Sequence, residues 1–207
     1  MVHRTDWNLY YQKNPALSRL TRPIILKAFL DAFRRYSVPK PVVAELGGAG
    51  SRVFDAVMEN IHPAEYHVVD NNEYGLELFR RAVNRSDVFF HNQDVLRLEL
   101  ELRADTVFSL GLIEHFDTNG TRQAIWSHLG LLKPGGIVIM TFPTPTLLYR
   151  LTRGVAELWG KWIFHDERPL RLDEVKAALH GHGEILTHRL IWLIGLTQTL
   201  VVIRKGS

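Results

Sequence analysis

The chain has 207 residues, a size at which one hydrophobic core is still undivided, so a single domain over 1–207 with one site is expected. Apolar residues make up 46% and charged residues 23%, which excludes a disordered, collagen-like or coiled-coil chain. No cysteine is present, so disulfides, thiolate zinc sites and thiol nucleophiles are excluded, and the composition fits a reducing, cytoplasmic setting. The formal charge is only +3, yet residues 1–40 carry eight Lys/Arg against two Asp/Glu, and residues 41–207 carry seventeen against twenty. That N-terminal surplus suits an anionic ligand, a phospholipid surface or nucleic acid, or else is a solvated helix face.

The opening residues, Val2-His3-Arg4-Thr5-Asp6-Trp7, read as neither a signal nor a transit peptide. Thr21 is placed to cap a helix with Pro23 in its first turn, running to about Tyr36 and burying Ile24, Ile25, Ala28, Phe29 and Phe33. From residue 42 strands and helices alternate. Strands are expected at 42–46, 66–70, 88–91, 105–110 and 137–142, with helices after the first (from Val53), the second (73–84) and the fourth (119–132). Lys133-Pro134-Gly135-Gly136 reads as a break before the fifth strand. This rhythm implies a parallel sheet covered on both faces, with its ligand site at the carboxyl ends of the strands.

Residues 145–164 depart from it. Leu147, Leu148, Leu151, Val155, Leu158, Trp159, Trp162 and Ile163 fall on one helical stripe, with Arg150, Arg153, Glu157 and Lys161 opposite, which makes an amphipathic insertion. A helix over 171–180 and a hairpin of strands at 184–192 and 198–204 complete the chain. Leu190 to Ile203 is the longest weakly polar stretch, and it is too short to span a bilayer.

The chemistry-bearing segment is Glu45-Leu46-Gly47-Gly48-Ala49-Gly50-Ser51, an acid followed by a small-residue turn that opens a helix. A dinucleotide fingerprint fits poorly, because Val53 stands where a third small residue belongs, so an NAD(P)-dependent enzyme is a distant alternative. The segment resembles instead the first motif of the class I S-adenosylmethionine-dependent methyltransferases, E/D-x-G-x-G-x-G, with Glu45, Gly47, Ala49 and Ser51 at its fixed positions. Further segments resemble that family in order: Asp70-Asn71 after the second strand, Asp94-Val95 after the third, Ser109-Leu110 through Leu112-Ile113-Glu114-His115 after the fourth, and the turn 132–136.

The resemblance implies a Rossmann-like three-layer α/β sandwich whose seven-stranded sheet has the order 3-2-1-4-5-7-6 and an antiparallel last strand, with an N-terminal helical lid over 1–41. It implies S-adenosylmethionine as cofactor, held by Glu45, Gly47, Gly48, Ala49, Asp70, Asn71, Asp94, Val95, Ser109 and Leu110. Asp94 is alternatively a helix cap, and Glu45 alternatively the partner of a basic residue.

His115, whose unperturbed pKa of about 6.5 suits removal of a proton, is the expected base, with a structural tie or a substrate-orienting bond as alternatives. The insertion, with His165-Asp166 after it, is loosely similar to that of ubiquinone-pathway O-methyltransferases, which makes His165, Arg168 and Trp159 the substrate-side candidates. Gly111 stands where those enzymes have an acid associated with metal, so no metal is expected, and His180, His182 and His188 read as exposed loop histidines. The sequence thus points to methyl transfer onto an oxygen of a small aromatic, lipid-like or glycan-associated acceptor, at a possible peripheral membrane surface, with nucleic acid disfavoured. A noncatalytic cofactor-binding subunit acting through 145–164 is the alternative.

Overall fold

The computed structural model describes residues 5, 7–8, 16–160, 162, 164–193 and 195–206. Helix α1 spans Ala16–Tyr36, and after it strands β1 (Val42–Leu46), β2 (Glu65–Asp70) and β3 (Val88–Asn92) enclose helices α2 (Phe54–Ile61) and α3 (Glu73–Ala82). Strand β4 (Ala104–Leu110), helix α4 (Thr118–Gly130), strand β5 (Leu132–Pro143) and helix α5 (Leu147–Leu158) follow. Helix α6 (Leu172–Leu179) and the hairpin β6 (Gly183–Leu193) and β7 (Leu196–Lys205) end the chain.

The sheet order is β3-β2-β1-β4-β5-β7-β6, with β1 to β5 parallel and β7 antiparallel to both its neighbours. Alternation along the strands divides the core in two. Val43 and Phe108 face one layer with α1, α2 and α3, whereas Ala44, Leu46 and Val107 face the other with α4 and α6. On the first face Phe29, Phe33 and Phe108 interlock with centroids 4.8 to 6.2 Å apart. Because the strands are buried on both faces, they read as continuous apolar runs.

Three boundaries differ from the sequence reading. Helix α1 begins at Ala16, so Thr21 is not its cap, and Pro23 lies inside the helix, where it removes one backbone donor. Helix α1 buries Ala28, Phe29 and Phe33 in the core, while Ile24 is exposed. Its C-terminal end lies by the amino end of β4, where the Ser37 and Thr106 hydroxyls are 2.7 Å apart.

Second, Lys133 to Gly136 does not interrupt β5. Between the pairs Ala104–Leu132 and Thr106–Ile137 the fifth strand takes three more residues than the fourth, and this bulge is accommodated by Gly135 at φ +75°. Third, the insertion's helix ends at Leu158, and Trp162 leaves the stripe to pack on its inner side against Tyr149, at 6.3 Å, under the Arg153 guanidinium. Tyr10, Tyr11, Lys161 and Ile163 lie outside the described residues.

Candidate active site

The carboxyl ends of β1, β2 and β4 meet at the turn after β1. Gly47 has φ +74°, and a Cβ on it would stand 3.0 Å from Leu112 Cδ1; one on Gly48 would stand 2.9 Å from Glu45 Cγ. The turn is therefore bare backbone pressed on its neighbours. Asp70 fastens it from β2, since Oδ2 accepts the Ala49 N–H at 3.0 Å and Oδ1 accepts the Asn72 N–H at 2.8 Å.

The two departures from a glycine-only turn have distinct outcomes. Ala49, 2% exposed, points its methyl into the first core. Ser51 Oγ accepts the Phe54 N–H at 3.1 Å and caps α2, a bond glycine would not make. Neither side chain obstructs the turn.

Other expected cofactor residues divide by which way their strand turns them. Glu45, expected to face the ligand, is 5% exposed beneath Gly48 and accepts the Tyr66 hydroxyl at 2.6 Å; burial pushes its carboxyl up to about 7 despite that bond. It supports the turn from below, and its partners are the Tyr66 and Ser51 hydroxyls rather than a basic residue.

Ser109 is likewise turned inward, its Oγ 2.9 Å from His128 Nε2. His128 Nδ1 donates to the Ala124 carbonyl at 2.6 Å, so Nε2 is the acceptor and Ser109 the donor. Only the backbone of Ser109 is left to face a ligand. Asp94 caps the turn Val95–Arg97 by accepting the Leu96 N–H at 2.9 Å through Oδ1, which keeps its carboxylate at the end of β3. Val95 is buried, while Asn71 is exposed just after β2 and Leu110 is half-buried at the end of β4.

Beyond β4 the turn Ile113–His115 brings His115 to a carboxylate that sequence reasoning did not pair with it. His115 Nδ1 is 3.0 Å from Asp166 Oδ1, with the two side chains 7% and 15% exposed. Burial lowers the imidazole's pKa, an effect Asp166 only partly opposes. Burial raises the Asp166 carboxyl, but the bonds from Thr5 and His115 outweigh it and hold it below the usual range. His115 is thus neutral at pH 7 with its proton on Nδ1, and Nε2 carries the lone pair of a base.

Behind this pair, burial and the nearby Glu167 charge push Glu114 well above the ordinary carboxylate range, and Glu114 Oε2 has no hydrogen-bond partner among the described residues. Glu167 accepts the Tyr149 hydroxyl of α5.

The N-terminal segment crosses both sides of the crevice. Thr5 bonds to Asp166, the Trp7 ring meets His115 edge-on at 4.9 Å, and Asn8 Oδ1 accepts from Asn72 Nδ2 at 2.8 Å at the head of α3. The basic residues Lys27 and Arg34 of α1 are elsewhere, on an exposed face around Asp31. They read as the solvated helix face.

Arg168, expected near the substrate, instead grips Glu174 with two bonds of 2.9 and 2.6 Å and reaches Thr121 and the Phe116 carbonyl. It ties the 164–170 loop to α6 and α4. His165 is exposed next to Asp166, and Trp159 is 70% exposed at the end of α5. His180 and His182 are exposed, edge-on to Trp126. Among the described residues no group of three or more His, Asp or Glu is placed to hold a metal.

Residues 43–136 match the family model described as a methyltransferase domain. That stretch, slightly less than half of the chain, is similar to a methyltransferase domain. The N-methyltransferase NodS from Bradyrhizobium japonicum WM9, solved with S-adenosyl-l-homocysteine, shares its fold with a TM-score of 0.68 at 12% identity, over 99% of this chain and 94% of that one. Magnesium protoporphyrin IX methyltransferase from Synechocystis PCC 6803, solved with S-adenosyl-l-homocysteine, gives 0.71 at 15% identity over 97% and 93%. A chain from the complex of the Haloferax volcanii Trm112 methyltransferase activator with a methyltransferase gives 0.74 at 14% over 99% and 100%. No curated protein sequence matches. The methyltransferase domain's matched stretch holds the turn, Asp70, Asp94 and His115, whereas Thr5 and Asp166 lie outside it.

Proposed function

We propose that the chain is an S-adenosylmethionine-dependent O-methyltransferase whose acceptor-side base is His115. The carrying observation is the buried His115–Asp166 pair beyond β4, beside the bare turn that Asp70 fastens. The fold family's cofactor supplies an electrophilic methyl group on a sulfonium.

The residues fit that group. Gly47 and Gly48 leave the turn open to close approach, Asp70 offers acceptors to a ribose diol, and Asp94-Val95 provides an acid and an apolar wall for an adenine. His115 Nε2 takes the acceptor's hydroxyl proton while Asp166 holds Nδ1–H and stabilises the imidazolium. The oxygen so deprotonated would be the nucleophile toward that methyl group, with the thioether as the leaving group. Because the leaving group is already good, most of the rate comes from positioning. A pre-oriented base favours an enzyme over a noncatalytic binding subunit.

Among acceptors we favour a lipid-like one. Leu147, Leu151, Leu158 and Trp159 on the outer face of α5 are between 60% and 85% exposed, and the inner face of the same helix bonds to the loop that carries Asp166.

The test is calorimetry with S-adenosylhomocysteine followed by turnover against lipid-like, aromatic and glycan hydroxyl acceptors. Asp70→Ala, which loses charge-assisted bonds, lowers affinity for S-adenosylhomocysteine by about 10- to 100-fold. His115→Ala leaves that affinity intact and lowers turnover by about 100-fold or more. Unchanged binding in the first variant sinks the cofactor placement, and unchanged turnover in the second sinks the base.

A further inference from the structure

The base is assembled from three distant parts of the chain, and one of them comes before the methyltransferase domain begins. Asp166 Oδ1 accepts from His115 Nδ1 at 3.0 Å and from the Thr5 hydroxyl, and Asp166 Oδ2 accepts the Thr5 N–H at 3.3 Å. Among the described residues Thr5 makes two of the three bonds to this carboxylate, across 161 residues of sequence, and is itself 8% exposed.

We propose that Thr5 is a positioning residue for the His115 base: its two-point grip on Asp166 sets the plane of the carboxylate, and through it the tautomer and orientation of the imidazole. The inference rests on the reading of His115 as base, but its geometry is independent of the acceptor.

The surroundings explain why a second fastening is needed. Asp166 belongs to a loop, not to a strand or helix, and it shares its neighbourhood with two more acids, Glu114 and Glu167. Glu167 is engaged by Tyr149, and Arg153 donates to the Glu167 carbonyl and the Tyr149 hydroxyl, so neither cation nor phenol in that corner is committed to Asp166. Arg168 is held by Glu174. Among the described residues Asp166 bonds to His115 and Thr5, while Trp7 and Phe164 enclose the imidazole at 4.9 and 6.0 Å. A carboxylate with one bond turns about its χ angles; with three it does not. Because Thr5 is followed by Trp7 on His115 and Asn8 on Asn72, the grip forms only when the N-terminal segment is laid across the crevice. The base is complete only in the covered site.

The experiment uses the full chain with isotopically labelled histidine and S-adenosylhomocysteine. The His115 Nδ1–H resonance, assigned by its loss in His115→Gln, is hydrogen-bonded and protected from solvent exchange in the unsubstituted chain. Thr5→Val, which keeps the shape and the N–H but removes the hydroxyl, speeds that exchange by roughly tenfold, as expected for loss of one such bond. Thr5→Ser restores slow exchange, and Asp166→Asn abolishes the signal.

In turnover, Thr5→Val lowers kcat with unchanged KM and unchanged affinity for S-adenosylhomocysteine. Exchange in Thr5→Val equal to the unsubstituted chain, or a Thr5→Ser chain as fast as Thr5→Val, overturns the proposal. If His115→Ala keeps full turnover while the Thr5 signature appears as described, the base reading fails and the positioning geometry stands.

Discussion

His128 shows how a single side chain sets a solution property. It is fully buried with the Ser109 hydroxyl pointed at Nε2, and burial lowers its pKa to about 4. A depressed histidine contributes stability above the unfolded pKa of about 6.5, and that contribution is lost as pH falls toward about 4. The gap corresponds to about 3 kcal/mol at most. We therefore expect His128→Met to be less stable than the unsubstituted chain at pH 7.5, with the difference shrinking by several-tenths to about 2 kcal/mol at pH 5. Urea unfolding at the two pH values measures it, and a pH-independent difference would show that the neutral imidazole is not what the site selects. Nothing in the local sequence betrays this role. Ser109 stood in the run of expected cofactor residues, and only the strand's alternation, which turns it toward α4, reveals its partner.

At the scale of the element, α5 is held by few groups and exposes many. Tyr149 and Arg153 anchor its inner side and Thr152 packs on Gly195 of the β6–β7 turn, while Leu147, Leu148, Leu151, Val155, Leu158 and Trp159 fill the opposite arc. Arg150 flanks that arc, and Glu157 is neutralised by Arg153. Such a helix face favours a bilayer interface. In sedimentation with anionic liposomes, exchanging Leu151 and Leu158 together for Glu lowers the bound fraction by about tenfold or more, without loss of affinity for S-adenosylhomocysteine. Equal binding by both chains removes the lipid-like acceptor from favour. The helix itself was legible, because a 3.6-residue period needs no tertiary partner. Which side of it faces the protein was not, since an apolar stripe reads the same whether it is buried or bare. The end at Leu158 was also hidden, as Trp162 continues the period but packs as part of a loop.

Across the whole molecule, the parallel order of β1 to β5 was legible because strands buried on both faces are written as apolar runs separated by helical periods. The reversal at β7 followed from the short link before it, and the full order from the family resemblance. The turn after β1 and the acids after β2 and β3 were visible as contiguous segments at strand ends, whereas the inward turn of Glu45 and Ser109 was not. The acceptor half was not, because Thr5, His115 and Asp166 come together only through the folded chain. Two buried groups described above also act jointly. Glu45, raised from 4.5 to about 7, lies on one face of the sheet, and His128, lowered from 6.5 to about 4, lies on the other. Glu45 favours the folded state below pH 4.5 and loses that effect as pH rises to about 7, while His128 gains its effect over nearly the same interval. Around pH 5.5 the folding chain therefore takes up a proton on one side of the sheet and releases one on the other. Between them the two side chains leave the proton count of folding unchanged, so refolding at that pH draws no net proton from the buffer on their account.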